Sequence, residues 1–308
     1  MKKLSELVAY KNELDRLSTE VAHTTVNLEL GKISHLVNDA DIDQLLYKIN
    51  TDFDQFNKTF DQIKLALQDE ISIAERPWIQ EGYERYDKGE ADYPDMILNL
   101  RQSGSLDIAS LRLKLLQYSS WKHPAMVIRP GLESFIDDMT AFDPLYLVDL
   151  SHEFLQPAMQ KFTEQYQNRL RPYVVREDLD DQILKQLPAG QFGFCLAFNY
   201  FNFRPFEIIK KYLEEIYEKL KPGGVFVFTF NDCDRRSAVE LVERHFCSYT
   251  PGRLVRELIA TVGYEIVYSW NDEGPTTWIE IRRPGNLDSL RGGQTLAKIL
   301  PKPVANSK

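Results

Sequence analysis

Polar residues follow several apolar stretches of this sequence, at the points where buried strands would end. Asp149 closes "LYLVD", while Glu177 and Asp178 close "YVVRED". Asn199 and Tyr200 close "FCLAFNY" in the same way. Ligands of open α/β sheets bind outside the carboxyl ends of the strands, and a carboxylate there can accept hydrogen bonds from two hydroxyl groups at once. The pattern therefore predicts a ligand site built from strand ends.

Several other chemistries lack the residues they need. Cys195, Cys233 and Cys247 form no CxxC pair and no disulfide framework, which is typical of a reducing, cytoplasmic setting. No metal-ligand spacing appears, so no metal site is predicted. His152 follows Asp149 closely and could act as a general base, but a histidine hydrogen-bonded within its own loop is the simpler interpretation. No catalytic residue is assigned.

Charge and hydropathy exclude two further classes of protein. The net charge is −9, and an acidic surface disfavours broad binding to duplex DNA. No run of about 18 apolar residues predicts a membrane span, and charges interrupt "MKKLSELVAYKNELDRL" where a signal peptide needs an apolar stretch. Residues 282–308 carry six basic side chains and one acidic one, a net charge of +5. This basic tail is either a solvated terminus or a contact for an acidic partner.

The first 76 residues follow a helical pattern. They contain one glycine and no proline, whereas all 15 prolines come later, from "ERPW" onward. Apolar residues step alternately by three and four from Leu7 to Leu28 and again from Ile42 to Leu67, the spacing of a coiled-coil seam. We expect a helical hairpin over residues 1–76. Its apolar stripe either mediates self-association or protein-partner contact, or packs on the same chain.

Strands and helices alternate from about residue 124. Five apolar strands, each separated from the next by a helix or a linker, are followed by two strands joined only by "NDEGP". Alternation predicts a doubly wound, mostly parallel sheet, and a five-residue connection requires an antiparallel pair. We therefore predict an α/β domain over residues 77–284 with a seven-stranded sheet and a terminal antiparallel hairpin, followed by a tail over residues 285–308.

One turn within this order is more specific. "EKLKPGGVFVFTF" leads from a long helix directly into the fifth strand. Pro222 stops the helix, and Gly223 and Gly224 offer positive φ values where the chain reverses. This turn, the Asp149 strand end and the terminal hairpin together resemble the class I, Rossmann-like S-adenosylmethionine-dependent methyltransferases over roughly residues 105–283.

The resemblance implies a cofactor, S-adenosylmethionine, and a set of binding residues. Asp149 matches the acidic residue that accepts hydrogen bonds from the ribose. Glu177 or Asp178 would lie near the adenine, and the loop bearing Asn199 and Tyr200 (with Asn202) would face both cofactor and acceptor. The acceptor would be a small molecule or a protein.

The first strand departs from the family pattern. The family has a glycine-rich turn there, whereas "VIRPG" keeps only Gly131 beside Arg129 and Pro130. Arg129 could hold the cofactor's carboxylate through a charge-assisted hydrogen bond, or it could fill the cofactor's space. The leading hypothesis is thus a methyltransferase of this family, and the alternative is a catalytically silent structural or assembly protein with the same fold. A nicotinamide-dependent enzyme is disfavoured because GxGxxG is absent.

Overall fold

The computed structural model describes most of the chain. The described residues are 3–27, 39–88, 108–130, 136–271 and 275–287. Gly131 and most of the basic tail lie outside these ranges.

A seven-stranded sheet forms the centre of the α/β region, with strand order β3-β2-β1-β4-β5-β7-β6. The strands are β1 (Ala125–Ile128), β2 (Leu145–Asp149), β3 (Leu170–Val174), β4 (Phe192–Ala197), β5 (Leu220–Asn231), β6 (Glu265–Asn271) and β7 (Thr276–Arg282). All pairings from β3 to β5 are parallel, and β7 is antiparallel to both β5 and β6. The predicted doubly wound sheet and its terminal antiparallel hairpin are confirmed.

Helices pack on both faces of this sheet, because the interior strands are apolar on both sides. The α-helices within the described residues are α1 (Leu4–Asn27), α2 (Asp39–Asp87), α3 (Ile108–Tyr118), α4 (His152–Gln160), α5 (Glu164–Gln167), α6 (Phe206–Lys219), α7 (Arg236–Glu243) and α8 (Gly252–Val262). In β4, Cys195 faces the core under α6 and α8, whereas Phe194 and Leu196 face the core under α3. Because β1 to β5 run parallel, their carboxyl ends lie at one rim of the sheet.

The double-glycine turn behaves as predicted at one glycine and differently at the other. Helix α6 ends at Lys219, and Gly223 has a φ of +81°, which suits glycine. Gly224 has no positive φ. A side chain there would meet the carbonyl oxygen of Phe192 at 2.8 Å, so Gly224 is required by close packing against β4 and not by its backbone conformation.

Helices α1 and α2 form an antiparallel hairpin whose base packs on the α/β region. Leu4, Leu7 and Ile71 belong to one buried cluster with residues of α7. Glu75 of α2 accepts a hydrogen bond from Tyr249 at 3.0 Å and forms an ion pair with Arg253. The hairpin is thus fastened to the α/β region by both apolar and polar contacts.

Helix α2 continues ten residues beyond Pro77, so the predicted boundary at residue 76 falls inside a helix. The division of the chain at that point stays a prediction. Along the predicted seam, Ile49, Phe56 and Ile63 recur every seven residues and are each 41–48% exposed. No helix within the described ranges is long and apolar enough to cross a membrane.

Candidate functional site at the sheet rim

The parallel strands bring most of the predicted site residues to one rim. Arg129 follows β1, Asp149 ends β2, and Glu177 comes three residues after β3. Asn199 and Tyr200 follow β4. Contacts join four of these five side chains: Arg129 to Asp149, Arg129 to Tyr200, and Tyr200 to Glu177. Residues scattered over 72 positions of sequence thus form one connected polar cluster.

Arg129 and Asp149 form a largely buried ion pair. Arg129 Nη2 lies 3.2 Å from Asp149 Oδ1, with the side chains 10% and 0% exposed. The same carboxylate oxygen accepts a hydrogen bond from the backbone N–H of Leu150 at 2.6 Å. The guanidinium carbon lies 4.7 Å from the ring centroid of Phe154 and 5.4 Å from that of Tyr200, so the cation also rests against aromatic faces.

A second buried ion pair lies beside the first. Arg204 Nε is 2.9 and 3.1 Å from the two carboxylate oxygens of Glu177, and both side chains are at most 2% exposed. The guanidinium of Arg204 covers the ring of Tyr200 at 4.4 Å. Tyr200 donates a hydrogen bond to Glu177. Burial raises the pKa of Tyr200 well above its ordinary value, so its hydroxyl keeps the proton that it donates.

Asn199 is held in a strained and incompletely bonded state. Its φ is +51°, a left-handed conformation that asparagine tolerates better than most residues. Its backbone N–H donates to Thr229 Oγ1 at 2.7 Å. Neither atom of its buried side-chain amide has a hydrogen-bond partner in the part of the chain that the structure describes. A buried amide left so costs free energy, and strain of this kind clusters at ligand sites.

Two predicted residues stand apart from the cluster, and a third lies outside the described residues. Asp178 is exposed and accepts a hydrogen bond from the backbone N–H of Asp180 at 2.9 Å. Its position suits a loop cap better than a buried adenine contact. His152 is exposed at the first position of α4. Gly131 lies outside the described residues, so its role stays a prediction.

Sequence reasoning missed two residues of the cluster. Arg204 is buried at 1% exposure, and its signal was a charge inside the otherwise apolar and aromatic stretch "YFNFRPF". Phe154 gave no signal, since an aromatic residue in an amphipathic helix is ordinarily packing. Asn202, predicted to line the pocket, is instead bonded inward and accepts a hydrogen bond from Thr229 at 3.2 Å.

Comparison with known proteins agrees with this architecture. Residues 131–228 match the family model described as a methyltransferase domain. A search of curated proteins finds no match. Three similar solved structures are an S-adenosylmethionine-dependent methyltransferase from Mesorhizobium loti, geranyl diphosphate C-methyltransferase from Streptomyces coelicolor, and the N-methyltransferase NodS from Bradyrhizobium japonicum.

These three structures are distant from the present chain. Their sequence identities are 13%, 12% and 14%, and their TM-scores are 0.45, 0.45 and 0.43. The alignments cover 56%, 57% and 57% of this chain and 96%, 80% and 87% of theirs.

The strand order and the terminal antiparallel hairpin define a Rossmann-like methyltransferase fold. Within this fold, residues 131–228 carry the match to a methyltransferase domain, and the cofactor that this similarity supports is S-adenosylmethionine.

Proposed function

We propose that this protein is a methyltransferase that binds S-adenosylmethionine at the rim formed by Arg129, Asp149 and Asn199. The observation that carries the proposal is the convergence of these three strand-end residues on one rim. Asp149 and Asn199 lie within the segment that matches the methyltransferase domain, and Arg129 lies two residues before it. The proposal covers a small-molecule or a protein acceptor of the methyl group.

The chemistry of the rim suits the cofactor. Asp149, at the end of β2, has the carboxylate that two vicinal hydroxyl groups of a ribose require. The side-chain amide of Asn199 has a donor nitrogen and an acceptor oxygen, and neither has a hydrogen-bond partner within the described ranges. The methionyl end of the cofactor carries a carboxylate, which accepts hydrogen bonds, and an ammonium group, which donates them. Tyr200, placed between two arginines, provides an aromatic wall.

S-adenosylmethionine, when bound, supplies a methyl group that its sulfonium already activates. The residues of the chain therefore have to bind and orient the cofactor and the methyl acceptor and to exclude water, and they need not supply a strong base. Glu177 is buried and fixed by its ion pair with Arg204, which keeps that part of the rim rigid. Thr229 fixes the backbone of Asn199 from below, on β5.

Calorimetric titration with S-adenosylhomocysteine tests the proposal. We expect binding to the unaltered protein and weaker binding to Asp149→Asn, because a neutral amide cannot form the charge-assisted hydrogen bonds of a carboxylate. Asp181→Asn is the matched control, since Asp181 is 52% exposed and belongs to a pair with Lys185 on the surface. Binding that is equal in all three proteins would place the ligand elsewhere.

One observation favours the alternative, a catalytically silent structural or assembly protein of the same fold. The Arg129–Asp149 ion pair occupies one oxygen, Oδ1, of the carboxylate that the ribose would use. A silent protein predicts no heat with S-adenosylhomocysteine at millimolar concentration, even in a variant that lacks Arg129.

Self-association or protein-partner contact through residues 1–76 remains part of the proposal. Its support is the half-exposed heptad stripe of Ile49, Phe56 and Ile63, which matches a coiled-coil seam. Light scattering of the unaltered protein and of Phe56→Glu tests it, with Ile73→Glu as the control on the same helix, at a side chain 66% exposed. Two monomers of equal mass would refute self-association. The cytoplasmic location also stays a prediction.

A further inference from the structure

Arg129 is held in a conformation that few side chains adopt. Its φ is +52°, in the left-handed region that is sterically unfavourable for a residue with a side chain. Its backbone N–H donates to the carbonyl oxygen of Val148 at 2.8 Å, which ties the residue to β2. The family's glycine-rich turn would begin here, so an arginine stands at the point where the backbone usually approaches the cofactor.

The Arg129 guanidinium makes the two kinds of contact that a bound nucleoside would make, with aromatic rings and with the Asp149 carboxylate. It is planar and lies near the rings of Phe154 and Tyr200, at 4.7 and 5.4 Å. Its N–H donates to Asp149 Oδ1, as a ribose hydroxyl group would. The same oxygen already accepts the N–H of Leu150, and an sp² oxygen has two lone pairs. A ribose hydroxyl group therefore competes with Arg129 for Asp149 Oδ1.

We propose that Arg129 is an internal substitute for the nucleoside, which occupies the nucleoside half of the cofactor site and has to leave before the cofactor binds. This inference rests on the proposed function of the same site. This role differs from that of an anchor, by which we mean an arginine that binds the carboxylate of the cofactor. An anchor strengthens cofactor binding, whereas a substitute for the nucleoside weakens it.

The effect of Arg129 on cofactor affinity follows from the populations of two states, one with Arg129 on Asp149 and one with the site free. When only a fraction of the protein has the site free, the apparent dissociation constant is the intrinsic one divided by that fraction. If the ion pair and the ring contacts keep Arg129 in place about nine-tenths of the time, removal of the side chain tightens binding about tenfold.

Two probes separate a substitute from an anchor. Adenosine contains the nucleoside alone, and S-adenosylhomocysteine adds the amino acid carboxylate. For Arg129→Ala, we expect both dissociation constants in calorimetry to fall by the same factor, about tenfold. Arg129→Lys keeps the charge but loses the planar face, and its dissociation constants are expected to lie between those of the unaltered protein and those of Arg129→Ala. Arg169→Ala, which removes an exposed arginine beside β3, controls for net charge and is expected to change nothing.

The contrary outcomes are distinct. Weaker binding of S-adenosylhomocysteine to Arg129→Ala, with adenosine unchanged, would make Arg129 an anchor and overturn the inference while the proposed function stands. Unchanged binding of both probes would also overturn it. If neither the folded unaltered protein nor the folded variant binds either probe, the proposed function itself fails. Arg129→Gln, which keeps N–H donors for Asp149, replaces the alanine variant if the latter does not fold.

Discussion

The buried pair of Arg204 and Glu177 is expected to be the least replaceable part of the rim. Arg204→Met keeps the length of the side chain but leaves the Glu177 carboxylate 1% exposed and without its cation. Removing one partner of a buried ion pair costs about 3–5 kcal/mol. For a domain of about 200 residues, this lowers the unfolding temperature by roughly 6–20 °C. Tyr200 still donates to the carboxylate, which places the expected loss toward the lower end.

Thermal and urea unfolding of the unaltered protein and four variants test this reasoning. Arg169→Met is the matched control, because Arg169 is 52% exposed and lies 3.7 Å from Asp143, so its loss is expected to cost at most about 0.5 kcal/mol. Glu177→Met combined with Arg204→Met is expected to lose less than the two single changes added together, since no buried charge is left unpaired. A loss below about 1 kcal/mol for Arg204→Met, or strict additivity in the double variant, would refute the argument.

Three further predictions concern stability. Gly223→Ala is expected to destabilise the protein by more than Gly190→Ala in urea unfolding, since both glycines have positive φ but only at Gly223 would the new Cβ collide with backbone, at the nitrogen of Leu287; equal losses would contradict this. Burial raises the pKa of Asp232 in the folded protein above its ordinary value of 3.8. Between these two pKa values the folded protein binds more protons at Asp232 than the unfolded chain does, so the free energy of unfolding falls as pH rises from 3.8 to the raised pKa. Asp232→Asn is expected to flatten this part of the pH profile, and an unchanged slope would contradict the assignment. Glu75→Ala is expected to release the base of the helical hairpin and to increase the rate of proteolysis within α2, whereas Glu70→Ala, at an exposed position of the same helix, leaves the rate unchanged; equal rates would refute the role of Glu75 in fastening the hairpin.

Sequence patterns predicted the sheet because its signals are local. Continuous apolar strands and the glycine turn at Gly223 depend on neighbouring residues alone. The rim position of Asp149 followed from the rule that the carboxyl ends of parallel strands share one edge. The order of elements therefore contained most of the fold and the outline of the site.

Side-chain pairing could not be predicted in the same way. That Arg129 binds Asp149, 20 positions away, depends on rotamers and on the ring of Phe154, which sequence spacing does not specify. Arg204 was missed because its partner, Glu177, comes from a different strand end. Helix α2 passes through Pro77, where Ala74 and Trp78 of the same helix pack against a buried cluster, and such tertiary packing can override the local preference of proline to end a helix.

The crystal structure of the protein with S-adenosylhomocysteine tests the central claim most directly. We expect the ligand at the carboxyl ends of β1, β2 and β4, with its ribose hydroxyl groups on Asp149 and the Arg129 guanidinium moved away from that carboxylate. A saturated crystal in which Arg129 still binds Asp149, with no ligand at the rim, would contradict it.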